Sequence, residues 1–391
     1  MKKIGFTVLF CLFLGCVFAQ EATLQSLEKE IKQLKETIKE QDKKIEANAN
    51  AIESKQSDHY SFGKNTTIGG YGELHMNQLW EKDDSTTSKR EIDFHRFVLF
   101  FEHKFTDNIK FFSEIEIEHV ISSAEDKGEV ELEQAFIDFQ YSTNHHLIAG
   151  IFLMPIGFIN ETHEPNTFYG VERNLVERNI IPATWWEGGI LFKGSITDKI
   201  SYDAALHSGL NTDASTSYAI RDGRQQVSEA QARAFGLTTR ISYKPIAGLD
   251  LNLALQYQSD LTQKSEPESV SAFLFNFNVA YQIKGFGIKA LFANWEVSGD
   301  GPEAIGADRA YGYYVEPSYR INDQWGVFAR WSHYDTKAGS NGGESGKSVA
   351  NIGVNFWPHE SVVVKLDFED QYNENDQGER YGVNFGLGYQ F

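Results

Sequence analysis

LDLNLALQYQSDLTQKSEPESVSAFLFNFNVAYQIKGFGIKALFANWEVS, residues 249–298, decides the fold. Leu249, Leu251, Leu253, Leu255 and Tyr257 alternate with Asp250, Asn252, Ala254, Gln256 and Gln258. Phe273, Phe275, Phe277, Val279 and Tyr281 then run against Asn276, Asn278 and Gln282. Alternation of period two puts apolar groups on one face of a strand and polar groups on the other. A long polar connection separates the first strand from the second, while Lys284-Gly285 alone turns the second into the third.

The same rhythm spreads both ways from this stretch. Sixteen segments carry it, near 66–80, 90–105, 109–120, 130–142, 145–153, 184–195, 199–210, 232–244, 248–259, 270–283, 286–298, 308–321, 324–335, 347–358, 361–371 and 380–391. Their connections alternate in length. FTDN, STN, SITDK, PIAG, KG, IND and PHE are short, and the stretches around 81–89, 121–129, 154–183, 211–231, 260–269, 299–307, 336–346 and 372–379 are long. Outer-membrane barrels have tight periplasmic turns and longer outer loops, and a water-soluble sandwich has no reason to keep that asymmetry. The expected fold is all-β, a 16-stranded antiparallel transmembrane β-barrel over 65–391, ending on the aromatic Phe391. Trp80, Trp185, Trp186, Trp325, Trp331 and Trp357 sit toward strand ends, as interfacial girdles would.

Composition agrees. Aromatics make up 14% of the chain, Gly is frequent at 33 and Pro scarce at 8. Residues 1–19 read as a signal peptide: Lys2 and Lys3, an apolar Ile4 to Leu14, then Val17-Phe18-Ala19 as the cleavage site. A lipobox at Cys16 is the rival reading, with Phe13 where Leu is usual. Both cysteines, Cys11 and Cys16, lie inside this segment, so thiolate chemistry and disulfides are excluded from the mature chain. Without Lys2 and Lys3 the formal charge moves from -19 to -21, which argues against nucleic acid as a partner.

Residues 20–55 have no Gly, Pro or aromatic residue. Leu24, Ile31, Ile38, Ile45 and Ile52 recur every seven residues, with Leu27, Leu34, Gln41 and Asn48 in the second seam. The heptads predict an α-helical coiled-coil and hence a homo-oligomer, two- or three-stranded, placed in the periplasm; one solvated helix is the alternative. Residues 56–64 read as a linker.

If the apolar phase faces lipid, the other lines an aqueous channel. That assigns Lys110, Glu114, Glu116, Glu118, Asp138, Lys193, Arg240, Lys244, Arg320, Arg330, Lys365 and Asp367 to the lumen wall. Connection 154–183 is too apolar for an exposed loop, so folding into the barrel is expected to bury it as a constriction. Its Glu161, His163, Glu164, Glu172, Arg173, Glu177 and Arg178 are the constriction candidates, because facing charges focus a field in a narrow passage. Arg173 and Arg178 have a second reading, as anchors paired with Glu172, Glu177 or wall carboxylates. His163 with Glu161 and Glu164 is not read as a metal site, and no cofactor is expected. No Gly-x-Ser-x-Gly element or triad stands out, so an enzyme is not expected.

The segments REIDFHRFVLFFEHKFTDNIKFFSEIEIE, EQAFIDFQY, HHLIAGIFLMPIGFINE and ERNIIPATWWEGGILFKG, within 90–194, resemble the phosphate-selective porin O and P family. Gly150 to Gly157 follows its Gly-x-x-x-x-Pro-x-Gly element, and Glu177-Arg178 its acidic–Arg pair. The resemblance implies a trimeric channel in the outer membrane, among lipid and lipopolysaccharide. It leaves anion transport, phosphate included, beside a weakly cation-preferring general porin, because basic wall positions mix with Glu114, Glu116, Glu118, Asp367 and Glu369. A barrel tethering the outer membrane to peptidoglycan is the structural alternative.

Overall fold

The computed structural model describes residue 63 and residues 65–83, 88–120, 128–264 and 269–391. The signal peptide, the coiled-coil and all of the linker but Gly63 lie outside the described residues. The strands are β1 (Thr66–Glu81), β2 (Lys89–Thr106), β3 (Ile109–Glu118), β4 (Val130–Ser142), β5 (His145–Leu153), β6 (Trp186–Thr197), β7 (Ile200–His207) and β8 (Gly236–Tyr243). They continue as β9 (Leu249–Gln258), β10 (Ser271–Ile283), β11 (Phe286–Ser298), β12 (Arg309–Arg320), β13 (Trp325–Asp335), β14 (Lys347–His359), β15 (Val362–Asn373) and β16 (Arg380–Gln390).

Each strand pairs antiparallel with its chain neighbour, and β16 closes on β1 from Tyr71↔Gln390 to Glu81↔Arg380. Closure leaves no unpaired edge, which spanning strands require in hydrocarbon. Phe391 completes it: its N–H donates to the Gly70 carbonyl and its carbonyl accepts from the Gly70 N–H, both at 2.9 Å. The 16-stranded closed barrel read from the alternation is therefore the fold.

The phases separate as the residues require. On β10, Phe273, Phe275 and Phe277 are 37–40% exposed, while Asn276 and Asn278 between them are buried. The inward face is not uniformly polar, however. On β9 to β12 it carries Ala254, Ala272, Leu274, Leu291, Ala293, Trp295, Ala310 and Tyr314, all buried. These small and apolar positions receive connection 154–185, whose Met154, Ile156, Val176, Ile180, Ile181 and Trp185 join the same cluster. A Cβ on Gly312 would stand 2.9 Å from Val176 and 3.1 Å from Ile180, so this close approach needs glycine. The loop is a plug inside the barrel, with an apolar contact to β9–β12 and polar contacts to the other strands it meets.

The tryptophans divide. Trp325 and Trp331 are exposed on the outer face, as a girdle requires. Trp185, Trp186 and Trp357 are buried instead. Trp185 lies 6.3 Å from the Trp295 ring, and Trp357 sits beneath Arg320, 3.6 Å from the ring centre.

Candidate functional site

Connection 154–185 is held in place by its own polar groups. At its neck, the Asn160 amide donates to the carbonyls of Met154 (2.8 Å) and Trp185 (2.9 Å), and its oxygen accepts from the Trp185 N–H at 2.7 Å. At its tip, a single helical turn (Val176–Asn179) brings Glu177 back over the chain. One Glu177 oxygen accepts from the N–H groups of Phe158 (2.6 Å) and Ile159 (2.7 Å), and the other from the Tyr314 hydroxyl at 2.6 Å. Burial still raises the Glu177 carboxyl above its ordinary value against these donors. On the far wall, Asp367 accepts from the Val171 N–H at 2.7 Å and Asn174 donates to Ser332 at 3.1 Å.

The other candidates fall into distinct places. Glu161 is ion-paired with Arg240, which also holds Asp203 at 2.7 Å. His163 lies 3.4 Å from Glu114 and 3.3 Å from Glu133, all three buried. Burial opposes a charged His163, but the two carboxylates outweigh it and hold the imidazole well above its ordinary value. Glu164 has one buried oxygen with no hydrogen-bond partner. Glu172 is 3.3 Å from His75 and accepts from Asn77 at 3.0 Å. Its burial would raise it, yet His75 holds it far below the ordinary carboxylate range.

Along the wall, Glu114 and Glu116 are buried, whereas Lys110 is half-buried and faces Asp138 in the ladder. Asp138 also meets His146 at 2.8 Å. Lys193 faces Asp203. Arg330 pairs with Glu316 at 3.1 Å, and the Lys365 amine lies 3.6 Å from the Phe168 ring centre. Lys244 lies just beyond β8 with a side chain 64% exposed, 3.8 Å from Asp250. Arg320 donates to the turn carbonyls of Asn322 (3.1 Å) and Asp323 (2.6 Å).

A polar cavity of ≈ 240 Å³ gathers the rest. Arg173 and Arg178 of the plug reach it, and so do Arg221 and Arg224 from the connection between β7 and β8. Glu73, Glu118, Glu129, Glu131 and Glu172 line it too, with His75, His95, His119 and Arg96. Three of the loop arginines are positioned by oxygens without full charge. Arg173 donates to the Thr184 hydroxyl (2.7 Å), Arg221 to the carbonyls of Arg178 (2.7 Å) and Ala183 (3.1 Å), and Arg224 to the carbonyl of Thr184. Arg96, Arg240 and Arg330 are ion-paired, but among the described residues none of these four is. Burial, then the nearby Arg224 and Arg178, push the Arg221 guanidinium down to about 10, still charged at neutral pH. Arg178 is exposed toward the cavity, and Arg173 keeps two buried nitrogens without partners.

Residues 71–391 match the family described as phosphate-selective porin O and P. The chain belongs to this porin family. A relative in Aquifex aeolicus (strain VF5), described as an uncharacterized protein, is 33% identical over 350 residues, spanning 81% of the porin and 78% of the relative. The outer membrane channel DcaP of Acinetobacter baumannii superposes with a TM-score of 0.60 at 13% identity, covering 85% of this chain and 99% of that one. An anion-selective porin from Comamonas acidovorans gives 0.59 at 12% identity, over 83% and 99%. At such identities the likeness is one of fold. The porin is an outer-membrane channel for small hydrophilic solutes or ions.

Arg221 and Arg224 escaped the sequence reading. They stand in a polar connection with the pattern Arg-Asp-Gly-Arg, which says nothing of depth. Glu133, Glu73 and His75 were likewise missed, the first for a reason of register taken up below.

Proposed function

We propose that the porin passes small anions through a constriction with a transverse field, arginines of two loops on one side and strand-borne carboxylates on the other. The observation that carries this reading is the convergence of Arg173, Arg178, Arg221 and Arg224 on one cavity, none of them ion-paired among the described residues. Guanidiniums held by neutral oxygens keep their charge available to a passing ion, and a low-dielectric wall focuses it. A fork of donors suits carboxylate and phosphate oxygens better than chloride. Binding has to stay weak and spread over several groups, so that an ion entering can also leave. We assign Glu161, Glu172 and Glu177 to holding the plug, Arg173 and Arg178 to the ion path, and the function to passage, not catalysis.

The chain is further proposed to work as a trimer, with residues 20–55 joining three copies on the periplasmic side. The heptads and the family resemblance support this.

Glu118, Glu129 and Glu131, whose oxygens gather within 4.8 Å, favour a second reading with cation passage. Swelling of liposomes containing the full-length protein separates the two. A sugar phosphate should enter faster than the amino sugar of equal size, with the neutral sugar between them. The reverse order would establish the cation reading, and no swelling with any of the three would leave the tethering barrel.

A further inference from the structure

We propose that Glu114, Glu133 and His163 form a binding site for a divalent transition-metal ion that staples the plug to the barrel wall. Oxygens of the two carboxylates and a nitrogen of His163 lie within 4.8 Å of one another. The three residues are 1–2% exposed. His163 Nε2 is 3.4 Å from Glu114 Oε1 and 3.3 Å from Glu133 Oε2, and none of these atoms has a hydrogen-bond partner. Charge-assisted hydrogen bonds would draw such atoms to about 2.7–2.9 Å. Ligands about 2.0–2.1 Å from a tetrahedral ion stand about 3.3–3.4 Å apart instead. The spacing is that of ligands around a common centre.

The surroundings are those of a built site. His163 Nδ1 faces the Asn160 carbonyl at 3.1 Å, which turns the Nε2 lone pair toward the carboxylates. Asn160 is itself locked between the two ends of the plug. The second oxygen of Glu114 accepts from Gln134 at 2.7 Å, an outer-shell bond of the kind that orients a ligand. Glu133 reaches the interior through a bulge. The β3–β4 register shifts between Glu114↔Gln134 and Ile115↔Leu132, leaving Glu133 as the extra residue and turning it inward.

Charge points the same way. Glu116 is 1% exposed, and neither of its oxygens has a hydrogen-bond partner. Arg96 is 2.5 Å from Glu73 and 3.8 Å from Glu116, so one guanidinium serves two carboxylates. Among the described residues His163 is the one cation in ion-pair reach of Glu114 and Glu133, with Arg96 acting on Glu133 from farther off, and a divalent ion would offset this buried excess. One imidazole with two carboxylates suits Zn²⁺, Mn²⁺ or Fe²⁺; Ca²⁺ takes six to eight oxygens and no nitrogen. Binding displaces the His163 proton, so affinity should fall as the pH is lowered.

The test is metal stoichiometry on the full-length protein, refolded in detergent with Zn²⁺ alone and then desalted. The background carries His95→Ala, His119→Ala and Glu129→Gln, which disrupt the two other groups able to hold an ion among the described residues. One Zn²⁺ per chain is expected, and Co²⁺ in its place should give the intense visible bands of a low-coordinate site. Gln134→Ala should weaken binding about 10–100-fold, and His163→Gln or Glu133→Gln by more than about 100-fold. Heat-modifiable mobility on gels identifies the variants that have folded, and Gln134→Ala serves where a ligand variant does not. A metal-free background protein, or a folded His163→Gln variant of it that retains one ion, would overturn the site and leave His163 an imidazolium between two carboxylates.

Discussion

Glu177→Ala should raise single-channel conductance several-fold while leaving the barrel folded. Glu177 ties the start of the plug to its helical turn and to the wall. It accepts from Phe158, Ile159 and Tyr314, and it is fully buried. Alanine leaves three donors without an acceptor, and the two buried ones, on Ile159 and Tyr314, each cost about 1–3 kcal/mol. The plug can avoid that cost only by lifting off and letting water in. The strand ladder is untouched, so heat-modifiable mobility on gels should persist. Glu177→Gln retains one oxygen but faces an NH₂ group toward the remaining donors, and should give an intermediate, noisier current. A variant with wild-type conductance and noise would show that apolar packing of Val176, Ile180 and Ile181 holds the plug unaided.

Arg178→Glu combined with Arg221→Gln should lower the anion-to-cation permeability ratio by about tenfold or more. The exchange makes the cavity more negative by three charges. A unit charge about 4 Å from a passing ion is worth about 1 kcal/mol even in bulk water, and the narrow passage strengthens it. Arg178 is exposed, so its reversal costs little in stability. Arg221→Gln keeps a donor for the carbonyls of Arg178 and Ala183. Reversal potential in a salt gradient reads the ratio directly. An unchanged value would move the selective region elsewhere, toward Arg240, Lys193 and Lys110 on the strands.

Much of this architecture was legible because the information is local. Phe273, Phe275 and Phe277 against Asn276 and Asn278 announce a strand with one wet face, and each turn and loop announces its length. The plug was legible too: Ile159, Phe168, Ile180 and Ile181 could not be left in water. What no local pattern reports is which distant groups meet. His163 has Glu161 and Glu164 as chain neighbours, yet its partners are Glu114 and Glu133 of the wall. Strict alternation would turn Glu133 toward lipid, and only the bulge beside Ile115 brings it in. The wall opposite the plug misled for the converse reason. A polar inner face was the expectation for a water-filled tube, but Ala293, Trp295 and Tyr314 line a dry contact.

The same logic separates the two roles of the plug's charged residues. Those with carboxylate, amide or hydroxyl partners across the barrel, such as Glu172 and Glu177, position the chain. Arg173 and Arg178 have no carboxylate partner among the described residues, which is why the proposal places them on the ion path and not among the anchors.

An open channel that prefers anions at Arg173, Arg178, Arg221 and Arg224 has a measurable sign of selectivity. Its most direct test is the reversal potential of single wild-type channels in a planar bilayer under a potassium chloride gradient, repeated with phosphate in place of chloride. Discrete open-channel currents with the sign of anion selectivity are expected in both salts, with lower conductance in phosphate as the guanidiniums hold it longer. Potassium-selective reversal, or a bilayer that stays silent at all voltages with protein inserted, would contradict it.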